Sequence, residues 1–142
     1  MKLVDANVLL YAVNASDPRH HDARGWLDGA LIGREAVGFA WAVLLAFVRL
    51  STKVGLFPSP LPTNDALTQV REWLAQPASV LVDPTSRHFD VLAGLLVETG
   101  SGGNLVTDAH LAALAVEHDA TVVSYDSDFG RFRGLTWQPP DG

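Results

Sequence analysis

Residues Leu105 to Phe129 read LVTDAHLAALAVEHDATVVSYDSDF, and the fold follows from how this stretch divides. Leu105, Leu111, Leu114, Ala115 and His118 fall roughly on one face of a helix, with Asp108 early in it. Ala120-Thr121-Val122-Val123-Ser124 then reads as a short buried strand, which stops in the acidic loop Asp126-Ser127-Asp128. One carboxylate therefore sits near a helix N-terminus and two more just past a strand's carboxyl end. The start of the chain repeats the second arrangement, because Lys2-Leu3-Val4 is a strand that ends on Asp5. In an open parallel α/β sheet, ligands gather beyond the carboxyl ends of the strands, at the crevice where strand order reverses. Four aspartates from distant parts of the chain could meet there.

Working outward, Asn7 to Val13 is a short apolar helix, and Asp5 is equally readable as its N-cap, a role that leaves the second oxygen free. Ser16-Asp17-Pro18 starts a second helix running to Leu27 or Asp28 and stopping near Gly29. Ala36 to Phe39 is a strand, followed by the nearly all-apolar helix Trp41 to Thr52. Along one stripe of that helix lie Ala42, Ala46, Arg49 and Lys53. Arg49 there either meets an aspartate or a phosphate, or snorkels at a helix end. After the stiff connection Phe57 to Pro62, Thr63 or Asn64 caps a helix whose inward face is Leu67, Val70 and Leu74. Ser79 to Val82 is a third strand; Thr85 or Ser86 caps a helix with Phe89, Leu92 and Leu96 inward, ending at Gly100. The loop Ser101 to Asn104 lacks the spacing and lysine of a phosphate cradle. Leu135 to Gln138 is a plausible last strand. The order β-α-α-β-α-α-β-α-α-β-(β) predicts an α/β sandwich on a mostly parallel sheet.

The 142 residues are expected to form a single domain, 1–142, with a sizeable core. The absence of cysteine removes disulfides and thiolate metal sites. No apolar run is long enough to span a bilayer and no signal peptide is evident, so no membrane role is expected and a cytoplasmic location is the default. A net charge of −6 argues against a broad basic nucleic-acid surface. It leaves RNA open as a substrate, because divalent cations reverse the local sign of an acidic site.

Clustered carboxylates in apolar walls repel unless a cation joins them, and hard oxygen ligands point to Mg²⁺ or Mn²⁺. Such ions activate water and stabilise the leaving oxygen in phosphodiester cleavage. No Ser-His-Asp arrangement competes: His110 is two residues from Asp108 and is expected on a different side of the helix. The adjacent His20 and His21 cannot form an i,i+4 metal pair.

Leu3-Val4-Asp5-Ala6-Asn7, Arg49, Thr107 to Ala115 and Val123 to Phe129, in that order, carry a resemblance to PIN-domain ribonucleases, specifically the VapC-type toxins of bacterial toxin–antitoxin pairs. It spans essentially the whole chain. The resemblance implies a PIN-like three-layer α/β/α sandwich with a mostly parallel, roughly five-stranded sheet. It also implies a Mg²⁺- or Mn²⁺-dependent endoribonuclease, frequent homodimers, and inhibition by a cognate VapB-type antitoxin. Carried over, Asp5 and Asp108 are metal ligands, Asp126 completes the acidic set and Asp128 contributes to it. Asn7 and Ser124 are polar support. Arg49, Lys53, Arg131 and Arg133 are candidate contacts to RNA phosphates, with solubilising surface charge as their plainer role. One departure stands out: the family's usual glutamate in the third helix is here Ala46. Either Asp128 takes over part of that role, the reading favoured here, or the metal is held more weakly, or cleavage is lost. The last leaves a catalytically silent PIN-like module that binds RNA or a partner.

Overall fold

The computed structural model describes residues 1–55, 57–100 and 102–140. The elements run β1 (Lys2–Val4), α1 (Ala6–Val13), α2 (His20–Leu31), β2 (Val37–Ala40), α3 (Trp41–Ser51), α4 (Thr63–Leu74), β3 (Ser79–Val82), α5 (His88–Thr99), α6 (Leu105–Glu117), β4 (Thr121–Val123), a 3₁₀ turn (Ser127–Arg131) and β5 (Thr136–Gln138). This is the predicted order, and all five strands are parallel, in the spatial order β3-β2-β1-β4-β5. Strand order therefore reverses between β1 and β4, which pair with Val4 opposite Val123.

Parallel strands buried on both faces need continuous apolar runs. Leu3, Val4, Val122 and Val123 have no exposed surface, and β2 is buried throughout. Gly38 in β2 is required by close packing: a Cβ there would lie 2.7 Å from a Val82 methyl and 3.0 Å from a Leu3 methyl. Right-handed crossovers put α1–α4 on one face of the sheet and α5–α6 on the other. The packing agrees, with α1 against α2 and α3, α3 against α4, and α5 against α6. Trp73 closes the first layer, edge-on to Phe47 at 4.8 Å and stacked on Phe39 at 6.5 Å.

Several local expectations shift. α2 starts at His20, not at Ser16 to Pro18, because Asp17 Oδ1 accepts from the Arg19 amide at 2.8 Å and holds those residues in a turn. It also continues through Gly29 to Leu31. On α4 the buried residues are Ala66 and Trp73, while Leu67 is 46% exposed. On α5 Leu95 is buried and Phe89 faces solvent. Neither Thr85 nor Ser86 is the N-cap, because Thr85 is bound to Glu117 instead. Gly100 does end α5, in the left-handed region at φ 66°. In α6 an apolar wall from Leu111 to Ala115 replaces a narrow stripe, and His118 leaves the helix to bond the Asp83 carbonyl through Nε2. Ser101, at the start of the predicted loop, lies outside the described residues. Among the described residues, no helix is long and apolar enough to cross a membrane.

Candidate metal centre

β1 and β4 end side by side, so the residues that follow them share one crevice at the reversal of strand order. Asp5 turns the chain from β1 into α1. Its backbone is extended, its amide donates to the Val123 carbonyl at 3.0 Å, and its Oδ1 caps α1 by accepting from the Ala6 amide at 2.7 Å. Oδ2 accepts from the Ser124 hydroxyl at 2.7 Å and from the Asn7 amide at 3.3 Å. Ser124, fully buried, in turn accepts from Asn7 at 3.1 Å and from the Asp126 amide at 3.0 Å. Asn7 Oδ1 takes the Tyr125 amide at 3.2 Å. The two strand ends are thus joined by side chains that also fix Asp5. A carboxylate has about four lone-pair positions, so capping and ligation are compatible.

Asp108 stands in the first turn of α6, half-buried, and among the described residues accepts no hydrogen bond. Asp126 caps the 3₁₀ turn by taking the Asp128 amide at 2.9 Å. One oxygen from each of Asp108, Asp126 and Asp128 lies within 4.8 Å of the others. Asp5 stands just outside that set. It shares with Asp108 a cavity of about 80 Å³, walled by Ala42, Val43, Ala46 and His110. A larger hollow of about 480 Å³ between α2 and α4 holds none of the four aspartates.

The electrostatics record crowding. Burial pushes the Asp108 carboxyl up to about 6, helped by the charges of Asp126, Asp5 and Asp128. Burial also raises Asp5, against the hydrogen bonds from Ser124 and Ala6 and with the repulsion of Asp126. No cation among the described residues answers this charge. Arg49 pairs with no aspartate, and it, Lys53, Arg131 and Arg133 are all exposed and free of ion pairs. Hard oxygen donors, uncompensated and within reach of one another, fit a divalent cation such as Mg²⁺.

The sequence pattern of the PIN domain family matches residues 2–135. The chain belongs to the PIN domain family. Ribonuclease VapC37 of Mycobacterium tuberculosis is 67% identical over 99% of this chain and 98% of its own length. Ribonuclease VapC33 of the same species is 41% identical over 99% of this chain and 98% of its own. Among solved structures, M. tuberculosis VapC20, described as a sarcin-ricin loop cleaving toxin, superposes with a TM-score of 0.71 over 96% of this chain and 97% of its own, at 18% identity. So does VapBC2 from Rickettsia felis, solved on a DNA fragment from its promoter, with a TM-score of 0.71, 17% identity and 97% coverage of both chains. The resemblance to VapC-type PIN domains and the three-layer parallel fold expected from it both hold.

Ala46 of this PIN domain lines the cavity beside Asp5 and Asp108, so a methyl occupies the α3 wall of the site. His110 lines it as well, contrary to the expected separation from Asp108. Thr107, Asp108, His110 and Leu111 all border the cavity, which at 100° per residue wraps about 160° of α6. Burial, reinforced by the neighbouring His88 ring and opposed by Glu117, keeps the His110 ring below its ordinary value. Its sequence signal was the spacing itself, which a flat view of a helix face discards.

Proposed function

We propose that this PIN domain, a single domain over residues 1–142, is a metal-dependent endoribonuclease, the toxin of a VapC-type toxin–antitoxin pair. The observation that carries this is the meeting of Asp108, Asp126 and Asp128 within 4.8 Å, beside a rigidly held Asp5, where strand order reverses. Asp108, Asp126 and Asp128 would hold Mg²⁺ or Mn²⁺ with Asp5 completing the site from behind. When bound, such an ion polarises a phosphoryl oxygen and makes water nucleophilic at neutral pH. The chain's own part is to fix the donors and admit the RNA. Ser124 and Asn7 hold Asp5, while the Asp126 cap orients the loop that bears Asp128. Arg131 and Arg133, directly after that loop, with Arg49 and Lys53 on the α3 side, would hold the RNA backbone against a body of net charge −6.

The relatives support the rest of the reading. VapC37 and VapC33 are named ribonucleases, and the R. felis neighbour is a VapB–VapC complex. The partners proposed are therefore RNA and a VapB-type antitoxin, in the cytoplasm. A homodimer is consistent with Trp41 and Leu45, one turn apart on α3 and 50% and 63% exposed.

Ala46 favours a second reading, a silent RNA- or partner-binding module. Cleavage of a structured RNA mixture by the antitoxin-free chain, with Mg²⁺, with Mn²⁺ and with EDTA, separates the two. Products that vanish in EDTA and in Asp5→Asn support the nuclease. A folded chain that binds Mn²⁺ neither in solution nor with RNA, and yields no products, favours the silent module.

A further inference from the structure

Behind the cavity wall a line of hydrogen bonds leads from a buried carboxylate to His110. Glu117, the last residue of α6, has no side-chain exposure. Its Oε1 accepts from the Thr85 amide at 2.9 Å and the Thr85 hydroxyl at 2.6 Å, and its Oε2 meets His88 Nδ1 at 2.5 Å. Burial works against its charge, but the bonds from Thr85 and His88 hold the Glu117 carboxyl below the usual range. His88 opens α5, and its Nε2 lies 2.9 Å from His110 Nδ1.

An ionised carboxylate only accepts, so His88 Nδ1 carries the proton toward Glu117. One proton lies in the 2.9 Å contact between the two rings, and placed on His110 Nδ1 it makes His88 Nε2 the acceptor. The tautomer of a histidine is set by the bond its other nitrogen makes. His110 is thereby left with a bare Nε2, which has no protein partner among the described residues. The cavity that His110 borders is also bordered by the carboxylates of Asp5 and Asp108 and by the methyl groups of Ala42 and Ala46. Its carboxylates and a bare His110 Nε2 accept hydrogen bonds and the Thr107 hydroxyl can do either, so a donating guest such as water fits. At about 80 Å³ it has room for about two waters at about 30 Å³ each.

We infer that His110, oriented by His88 and Glu117, belongs to the metal site as an outer ligand: its Nε2 accepts a hydrogen bond from water hydrating the ion, on the α3 side where Ala46 supplies no oxygen. His110 touches that water; His88 and Glu117 are positioning residues acting through it. The inference rests on the metal-dependent reading above and adds a nitrogen to an otherwise all-carboxylate site. Groups that orient a metal's surroundings in this way characteristically change affinity by 10–100-fold.

The test uses the full, antitoxin-free chain, with Mn²⁺ and Mg²⁺ alone as probes. Nitrogen-15 NMR of the histidine rings is expected to find His110 protonated at Nδ1 and bare at Nε2, with the Nε2 signal moving on Mg²⁺ addition. His88→Ala should release the ring to the other tautomer. His88→Gln should preserve it, since the amide can donate to Glu117 while its oxygen accepts from His110. By calorimetry, His110→Ala and His88→Ala should bind Mn²⁺ about 10-fold more weakly, with His88→Gln near wild type. A protonated Nε2 in the wild-type chain overturns the inference, and so does an unchanged Mn²⁺ affinity in folded His110→Ala. His110→Asn gives the same reading should the alanine variant not fold. A wild-type chain that binds no Mn²⁺ overturns the metal reading itself, a result distinct from either of those.

Discussion

At the back of the acidic pocket Asp5 accepts hydrogen bonds from Ala6, Ser124 and Asn7, whereas at its mouth Asp108 accepts none among the described residues. Both carboxyls are raised by burial, yet only at Asp5 do hydrogen bonds work against the shift. The back is shaped by the fold whether or not an ion is present. The mouth is a set of repelling charges that the apo fold tolerates at a cost. Under the metal-dependent reading proposed above, identical side chains would divide the work: Asp5 would fix where the site is, and Asp108, Asp126 and Asp128 would give it affinity.

The sharpest way to break this division is Asp108→Asn. Mn²⁺ affinity and metal-dependent RNA cleavage should fall at least about 100-fold, the scale on which removing a principal charged group from a catalytic centre is felt. The apo chain should nonetheless melt higher, by about 2–4 °C if about 1 kcal/mol of repulsion is relieved in a domain of this size. An apo melting temperature that drops instead would mean Asp108 is structurally bonded like Asp5. Acidity probes the same contrast without mutation. Asp108 has a folded-state value of about 6 against an ordinary 3.8, so between these the folded chain binds more protons than the unfolded one. Apo stability from this group therefore falls as pH rises from about 4 to about 6. Mn²⁺ affinity, which needs the ionised form, should climb across that window and level off above it. Thermal melts with and without Mn²⁺ at pH 4.5 and 7.5 test both signs.

Ser124→Ala attacks the back. It removes the hydroxyl donor to Asp5, one of the two acceptors of the Asn7 amide and the acceptor of the Asp126 N–H, at a cost of about 1–3 kcal/mol in urea denaturation. Activity should drop about 10-fold or more as Asp5 loses its orientation. Equal stability in this variant would show that the seam is decoration. Ala46→Glu adds a third carboxylate to the cavity wall, beside Asp5 and Asp108: Mn²⁺ should bind several-fold more tightly and the apo chain should be less stable, by the same like-charge argument. The smallest effect belongs to Arg131→Ala with Arg133→Ala. RNA affinity should weaken modestly, with the slope of log affinity against log salt reduced by about 2, and metal binding should be untouched.

How far these features could be read beforehand depends on how local their causes are. Strand and helix order was legible because each element carries its own period and its own stop signals. The pocket was legible because Asp5, Asp126 and the start of α6 fall at ends that a parallel sheet must bring to one edge. The inward faces of α4 and α5 were legible in part: Val70, Leu74, Leu92 and Leu96 pack against the core, whereas Leu67 and Phe89 face solvent. Leu67-Val70-Leu74 and Ala66-Trp73 are overlapping stripes one residue apart, and docking against Phe39 and Phe47 draws Trp73 into the core ahead of Leu67. The His88–His110 contact spans 22 residues and joins two helices, with no local signal in either. Ser16-Asp17-Pro18 reads as a helix start and forms a turn, since the Asp17 side chain bonds the chain two residues on.

The bond between Ser124 and Asp5 joins residues 119 positions apart. A chain emerging from the ribosome N-terminus first has made β1 long before β4 exists to lie beside it. Asp108, Asp126 and Asp128 all follow Asp5 by more than 100 residues, so no nascent fragment that stops short of Asp128 holds the four carboxylates together. The metal-dependent activity proposed here would therefore be withheld from every nascent chain that has not yet reached Asp128.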